Sequence, residues 1–243
     1  MLRIAGVIFI LLLALALGFT PWLQPVERML VDAQFKLLRT YALRPVKNDV
    51  VVVGFDETTA GFLREPQTLW HPHFGKFLQA MAGAGAAAVG VDVVLPERSF
   101  ESIVPGYDRS LLTGILIARR TMPVVLALTD YPAGKTRAVY PAFVAAAGQD
   151  ATGYALLPLD ADGVVRRFDE RIEWEGKAVP TLAGQMARRL GRAVGSGLID
   201  FASGGKFDFV PLQTALAWYE AGDSAQLERA FRGKAVLLGS VLK

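Results

Sequence analysis

The chain has 243 residues, a formal net charge of +3, two histidines and no cysteine, and 52% of its residues are hydrophobic. That length can bury a sizeable core in one large domain with a membrane segment besides. The small charge, without a Lys/Arg run, argues against a nucleic-acid partner, and the missing cysteines exclude a disulfide framework and thiolate metal sites.

Ile4–Val26 carries no charge, and its densest part is Ile8–Leu17. As a helix, Ile4 to Leu23 would rise about 30 Å, roughly one hydrocarbon core. Arg3 before it predicts an inside N-terminus, with Trp22 at the far interface. Residues 1–26 therefore read as a transmembrane anchor. A cleaved signal peptide is the competing reading, with Ala14-Leu15-Ala16 as its small-residue site. Either reading exports everything after residue 26, so the expected place is the cell (inner) membrane with a periplasmic or extracellular domain.

Residues 27–45 predict an amphipathic entry helix. Leu30, Val31, Gln34, Phe35 and Leu38 fall at helical spacing, and Arg44-Pro45 ends it. Residues 46–243 then alternate between strand-like and helix-like segments. Val50–Phe55 is a continuous apolar run, as in a strand covered on both faces. A helix over Phe74–Gly83, closed by Gly83 and Gly85, leads to a second strand over Ala87–Val94. Tyr107–Arg120 reads as a helix and Pro123–Leu128 as a third strand. Asp160-Ala161-Asp162-Gly163 is a turn signal, so Gly153–Pro158 and Val164–Trp174 predict a β-hairpin around it. A helix over Pro180–Leu190, a short strand over Leu198–Phe201, and helices over Leu212–Tyr219 and Ser224–Phe231 follow. Lys234–Val241 is the last buried strand. The fold class is α/β: a mixed, largely parallel central sheet flanked by helices, preceded by one N-terminal transmembrane helix. Val51, Val53, Val89, Val91, Leu237 and Leu238 should lie in that sheet.

Two of these strands end in aspartate, Asp56 and Asp92. Parallel strands gather their carboxyl ends at one edge, where ligands tend to bind. Each aspartate could hold a cation or a polar ligand, or it could cap the turn that follows. Trp70 could line a pocket or plug a loop. Arg166, beside Asp160 and Asp162, could hold an anion or belong to a solvated hairpin. His71 and His73 flank a proline and would suit a metal only if both imidazoles turned to one side. There is no nucleophile elbow, no P-loop, no dinucleotide fingerprint and no Cys nucleophile, and no cofactor is implied.

The order of these pieces resembles the CHASE domain of the second type (cyclases/histidine kinases associated sensory extracellular). The resemblance runs from about Leu30 to Leu242. It rests on Asp32, on Asp56-Glu57-Thr58-Thr59, on Trp70-His71-Pro72, and on the Gly-Ala-Ala-Ala-Val-Gly-Val run into Asp92. It continues with Tyr107-Asp108, Gly153, Asp160–Arg166 and the closing Phe231–Ser240. It implies the extracytoplasmic sensor of a bacterial signalling receptor, in which further membrane helices and a cytoplasmic kinase or cyclase follow the sensor. Neither follows here, so the chain reads as the sensory part of a longer receptor. His71 and His73 stand where the family tends to repeat the Trp-Pro pair and follow with Arg, which sets this element apart.

The expected function is thus a sensory module and not an enzyme. Its candidate ligand residues are Asp56, Trp70, Asp92 and Arg166. Its expected partners are the membrane, a small-molecule or protein stimulus, and a second copy of the chain in a homodimer. Two other classes stand beside it. One is an exported metal-dependent phosphoesterase using Asp56, Asp92, His71 and His73. The other is a structural envelope module acting through protein contacts, which a solid core without a pocket would favour.

Overall fold

The computed structural model describes residues 23–45, 49–131, 134–204 and 209–241. The predicted membrane run lies almost wholly outside them. Among the described residues, no helix is long and apolar enough to cross a membrane.

The described residues form two compact units. The smaller contains helix α1, Gln24–Tyr41, and the segment that starts at Asp200. Arg44 joins them: its guanidinium lies 2.8 Å from an Asp200 carboxylate oxygen, and its carbonyl accepts from Gly204 N–H at 2.8 Å. Phe35 meets Phe201 edge to face. No residue of α1 is buried.

The larger unit follows the predicted alternation. Strand β1, Val50–Phe55, is followed by helix α2, Glu57–Leu63, then a 3-10 turn at Gln67–Leu69. Helix α3, His71–Ala84, ends at Gly85, whose φ of 70° is the left-handed conformation that a C-cap needs. Strand β2, Ala88–Asp92, precedes helix α4, Tyr107–Arg119, and strand β3, Val124–Asp130. Next come β4, Thr136–Arg137, helix α5, Pro141–Ala147, and β5, Thr152–Tyr154. Short strands β6, Arg167–Phe168, β7, Arg171–Trp174, and β8, Lys177–Pro180, lead to helix α6, Leu182–Arg189. Strand β9, Gly197–Leu198, β10, Phe209–Pro211, helices α7, Leu212–Glu220, and α8, Ser224–Phe231, and strand β11, Ala235–Ser240, complete the unit.

The main sheet runs β10-β1-β11-β2-β3-β4, with β5 also on β3. All of its pairs are parallel except β3 with β4. The last strand therefore inserts between the first two, and Gly54, Gly239 and Asp92 stand in one row across the sheet.

Alternation along the strands separates two cores. Val53, Val89, Val91, Val124, Leu126, Val236 and Leu238 face the large core under α3, α4, α7 and α8. Ala88, Val125 and Ala127 face α6 through Leu182 and Met186. Gly90 makes room there: a Cβ on it would sit 2.3 Å from Met186 Sδ. Coverage of the α6 face is partial, since Val50 is exposed and Val52 is half-buried. This corrects the expectation of a first strand covered on both faces.

The predicted hairpin is also relocated. Asp160–Gly163 does form a closed turn, with Asp160 N–H donating to the Val164 carbonyl at 3.0 Å. Its flanks do not pair, because β5 joins the parallel sheet and β6 pairs with β9. The true hairpin is β7–β8, turning at Glu175-Gly176 with φ of 49° and 71°. Two consecutive positive φ values suit a two-residue hairpin. Helix α6 starts two residues later than expected, because the Thr181 hydroxyl caps it by accepting from Gly184 N–H at 3.1 Å.

Candidate functional site

The carboxyl edge of the main sheet carries a cavity of about 410 Å³. That size lies within the range of small-molecule sites. Strand ends supply its floor: Phe55 from β1, Ser240 from β11 and Asp92 from β2. Val93, Val94, Leu95 and Pro96 continue from β2 along one wall. His71 and Phe74 enter from the first turn of α3, with Gln67 and Thr68 from the 3-10 turn before it. Phe100 and Arg137 close the far side.

Asp92 is the acidic group of this cavity. Among the described residues no donor binds its carboxylate. The side chain lies over Gly239, where a Cβ would stand 3.8 Å from Asp92 Oδ2, so the glycine leaves it room. Asp92 is accessible to solvent, yet it sits in a concavity walled by Phe and Val side chains. Partial burial there pushes its carboxyl pKa up from the ordinary value.

Arg137 is the basic group. Its Nε is buried without a hydrogen-bond partner, and its guanidinium lies 5.6 Å from the Tyr131 ring centroid. Its neighbours are firmly held. Thr136 N–H donates to Glu175 Oε1 at 3.1 Å, and Thr136 Oγ1 accepts from Trp174 Nε1 at 3.0 Å. Tyr131 Oη donates to Glu97 Oε2 at 2.7 Å, while Glu97 Oε1 accepts from Ala138 N–H at 3.1 Å. The β7–β8 hairpin and Glu97 thus fix the short strand that presents Arg137.

His71 is buried at the back wall. It stacks on Tyr107 at 4.2 Å between centroids and meets Phe143 edge to face. Its Nδ1 is 3.4 Å from Asp108 Oδ1. Burial lowers the imidazole pKa, against the opposing pull of Asp108, so His71 is neutral at pH 7. Asp108 Oδ2 accepts from Ser99 Oγ at 2.6 Å and Phe100 N–H at 3.0 Å, which holds the loop bearing Phe100.

The sequence candidates divide accordingly. Asp92 and His71 line the cavity. Trp70 stands behind its wall, buried at 2% exposure, edge to face with Phe55 and Phe74, its Nε1 donating to the Glu65 carbonyl at 2.9 Å. Asp56 caps α2: its Oδ1 accepts from Thr59 N–H at 3.1 Å, and Asp56 N–H donates to Thr59 Oγ1 at 3.3 Å. Asp56 and Asp92 do share the carboxyl edge, two strands apart. Arg166 is buried in its own turn, 2.9 Å from both Asp160 Oδ2 and Asp162 Oδ1. It holds the Asp162 carboxyl at a pKa of about 2. His73 Nε2 lies 2.8 Å from Glu65 Oε2. His71 and His73 are two residues apart on one helix, about 200° around its axis, and so face apart. Among the described residues no group of three or more His, Cys, Asp or Glu could hold a metal. Arg137 was missed, because nothing in Thr136-Arg137-Ala138-Val139 marks an arginine that folding brings to a distant strand end.

The largely parallel α/β unit thus carries a mostly apolar cavity at its carboxyl edge, with Asp92 and Arg137 as its charged groups. The chain belongs to the CHASE2 domain family, whose model matches residues 6–243. CHASE2 domains are extracellular sensory domains of signalling receptors and not catalytic ones. No curated protein and no solved structure matches the chain.

Proposed function

We propose that the chain is the extracytoplasmic sensor of a bacterial membrane receptor and that the cavity beside Asp92 and Arg137 is its stimulus site. The observation that carries this is the pair of opposite charges lining one apolar cavity, neither with an ion-pair partner among the described residues. A site that wants a ligand leaves such groups unpaired; a purely structural pair would be satisfied internally. The uncharged run Ile4–Val26 and Arg3 support an N-terminal pass with the domain outside. A kinase or nucleotide cyclase on the cytoplasmic side would be the output, reached through α1 and the membrane helix. Ser240, last residue of the strand at the centre of the sheet, lines the same cavity. A ligand there touches the element that leads onward to Lys243. It changes the output only if it binds the two states of the receptor unequally.

The phosphoesterase reading needs Asp56, Asp92, His71 and His73 to converge, and Asp56 is taken by its helix cap while the two histidines face apart. A structural module without a pocket is disfavoured by the cavity. The test is a receptor rebuilt with a cyclase output and carrying Val94→Trp, a bulky ring at an exposed lining position. The reading expects a changed output at unchanged membrane level; wild-type output in every medium would refute it.

A further inference from the structure

We infer that the cavity takes a zwitterionic, amino-acid-like ligand with an apolar side chain, its carboxylate on Arg137 and its ammonium on Asp92. This rests on the reading of the cavity as the stimulus site and gives that site a ligand class.

The lining residues set the requirement. Arg137 contributes one positive charge and Asp92 one negative charge, and His71 is neutral, so the cavity is balanced. Glu97, near Arg137, has both oxygens engaged by Tyr131 and Ala138 and does not line the cavity. Arg137 presents a buried Nε–H with no acceptor. Its guanidinium carbon lies over the Tyr131 ring, 5.6 Å from the centroid, and the guanidinium fork matches a planar carboxylate. Asp92 has oxygens without donors among the described residues, and its partial burial at the cavity raises its pKa.

Simpler ligands satisfy only half of this. An anion would pair with Arg137 and place a second negative charge in the cavity with Asp92. A cation would do the reverse. An uncharged apolar molecule would bury both groups unpaired, which is costly in a low-dielectric site. A zwitterion answers both at once. Phe55, Phe74 and Phe100, with Val93 and Leu95, then provide an apolar seat for its side chain. The volume of about 410 Å³ admits a large one.

The experiment uses the full chain in detergent. Each of the twenty standard amino acids is tested by thermal shift and the hits by calorimetry. The expected result is a raised melting temperature with one or more apolar members, with affinity reduced at least tenfold, about 1.4 kcal/mol, in Arg137→Met and in Asp92→Asn. The N-acetyl and the carboxamide derivatives of the hit should bind at least tenfold more weakly than the parent. Far-UV circular dichroism of both variants checks that they fold. No shift with any amino acid overturns the inference, as does equal binding by the derivatives or by the variants. A carboxylic acid without an amine that binds as tightly, and is lost in Val94→Trp, overturns the zwitterion while leaving the cavity as the site. Amino-acid binding that survives Val94→Trp overturns both.

Discussion

Two glycines on one helix should respond to the same substitution with opposite signs. Gly75 and Gly83 both lie in α3. Replacing glycine by alanine inside a helix stabilises by about 1 kcal/mol when nothing else changes. Around Gly83 there is nothing within 4 Å of an added Cβ, so Gly83→Ala should gain roughly that amount. At Gly75 the added Cβ would stand 2.3 Å from the Ser110 carbonyl oxygen and 2.8 Å from its carbon, both backbone atoms of α4. Gly114 answers from the other side, its own Cβ position 2.6 Å from Gly75 Cα. Backbone cannot rotate away as a side chain can, so the helices must move apart by about 1 Å. Such overpacking costs about 1–3 kcal/mol, which outweighs the propensity gain. Gly75→Ala should therefore lose up to about 2 kcal/mol net. Urea unfolding followed by circular dichroism reads both variants against the parent. A stabilised Gly75→Ala would show that α3 and α4 do not touch through their backbones. The placement of His71 and Phe74 on the cavity would fall with that contact.

Leu238, fully buried in β11 at the centre of the sheet, should cost about 2–5 kcal/mol as Leu238→Ala by the same unfolding assay; under about 0.5 kcal/mol would mean the strand is not central. Asp56→Ala removes the α2 cap and should cost about 0.5–2 kcal/mol, whereas no loss would release Asp56 for a ligand role. Asp92→Asn should raise the melting temperature at pH 7. A carboxyl whose folded pKa is raised contributes stability that is full below its unfolded value and lost as pH rises through the folded one, so at neutral pH the charged form is a cost that asparagine removes. The gain should fade below about pH 4, and a lowered melting temperature at pH 7 would show that a protein donor stabilises the carboxylate.

Strands over Val50–Phe55, Ala88–Asp92 and Ala235–Ser240 were legible because strands of a largely parallel sheet read as unbroken apolar runs, although one face of the first stays partly open. Their order was not. The insertion of β11 between β1 and β2 depends on contacts across the whole chain, which no local pattern encodes. Helix α2 was missed because Glu57–Leu63 spans only two turns and mixes Thr and Gly; its cap, Asp56 with Thr59, was read only as one alternative. The Asp-Gly at 162–163 promised a hairpin. The competing pull of the sheet on β5, and of Asp160 and Asp162 on Arg166, made it an isolated turn instead. At the cavity, Asp92 was legible from its strand end. Arg137 was not, because its importance comes from Trp174 and Glu175, almost forty residues later, which hold its neighbour.

The central claim is that the charges at the carboxyl edge receive the stimulus. Its most direct measurement is the output of a receptor in which this chain precedes a cyclase, recorded in washed cells and in cells returned to rich medium. Asp92→Asn and Arg137→Met are compared with wild type and with Leu198→Asp, an exposed position in the β6–β9 pair that does not line the cavity. The account predicts that wild type and Leu198→Asp change output between the two conditions, and that Asp92→Asn and Arg137→Met hold one level in both while reaching the membrane in equal amount. A wild-type response in the two cavity variants would contradict it.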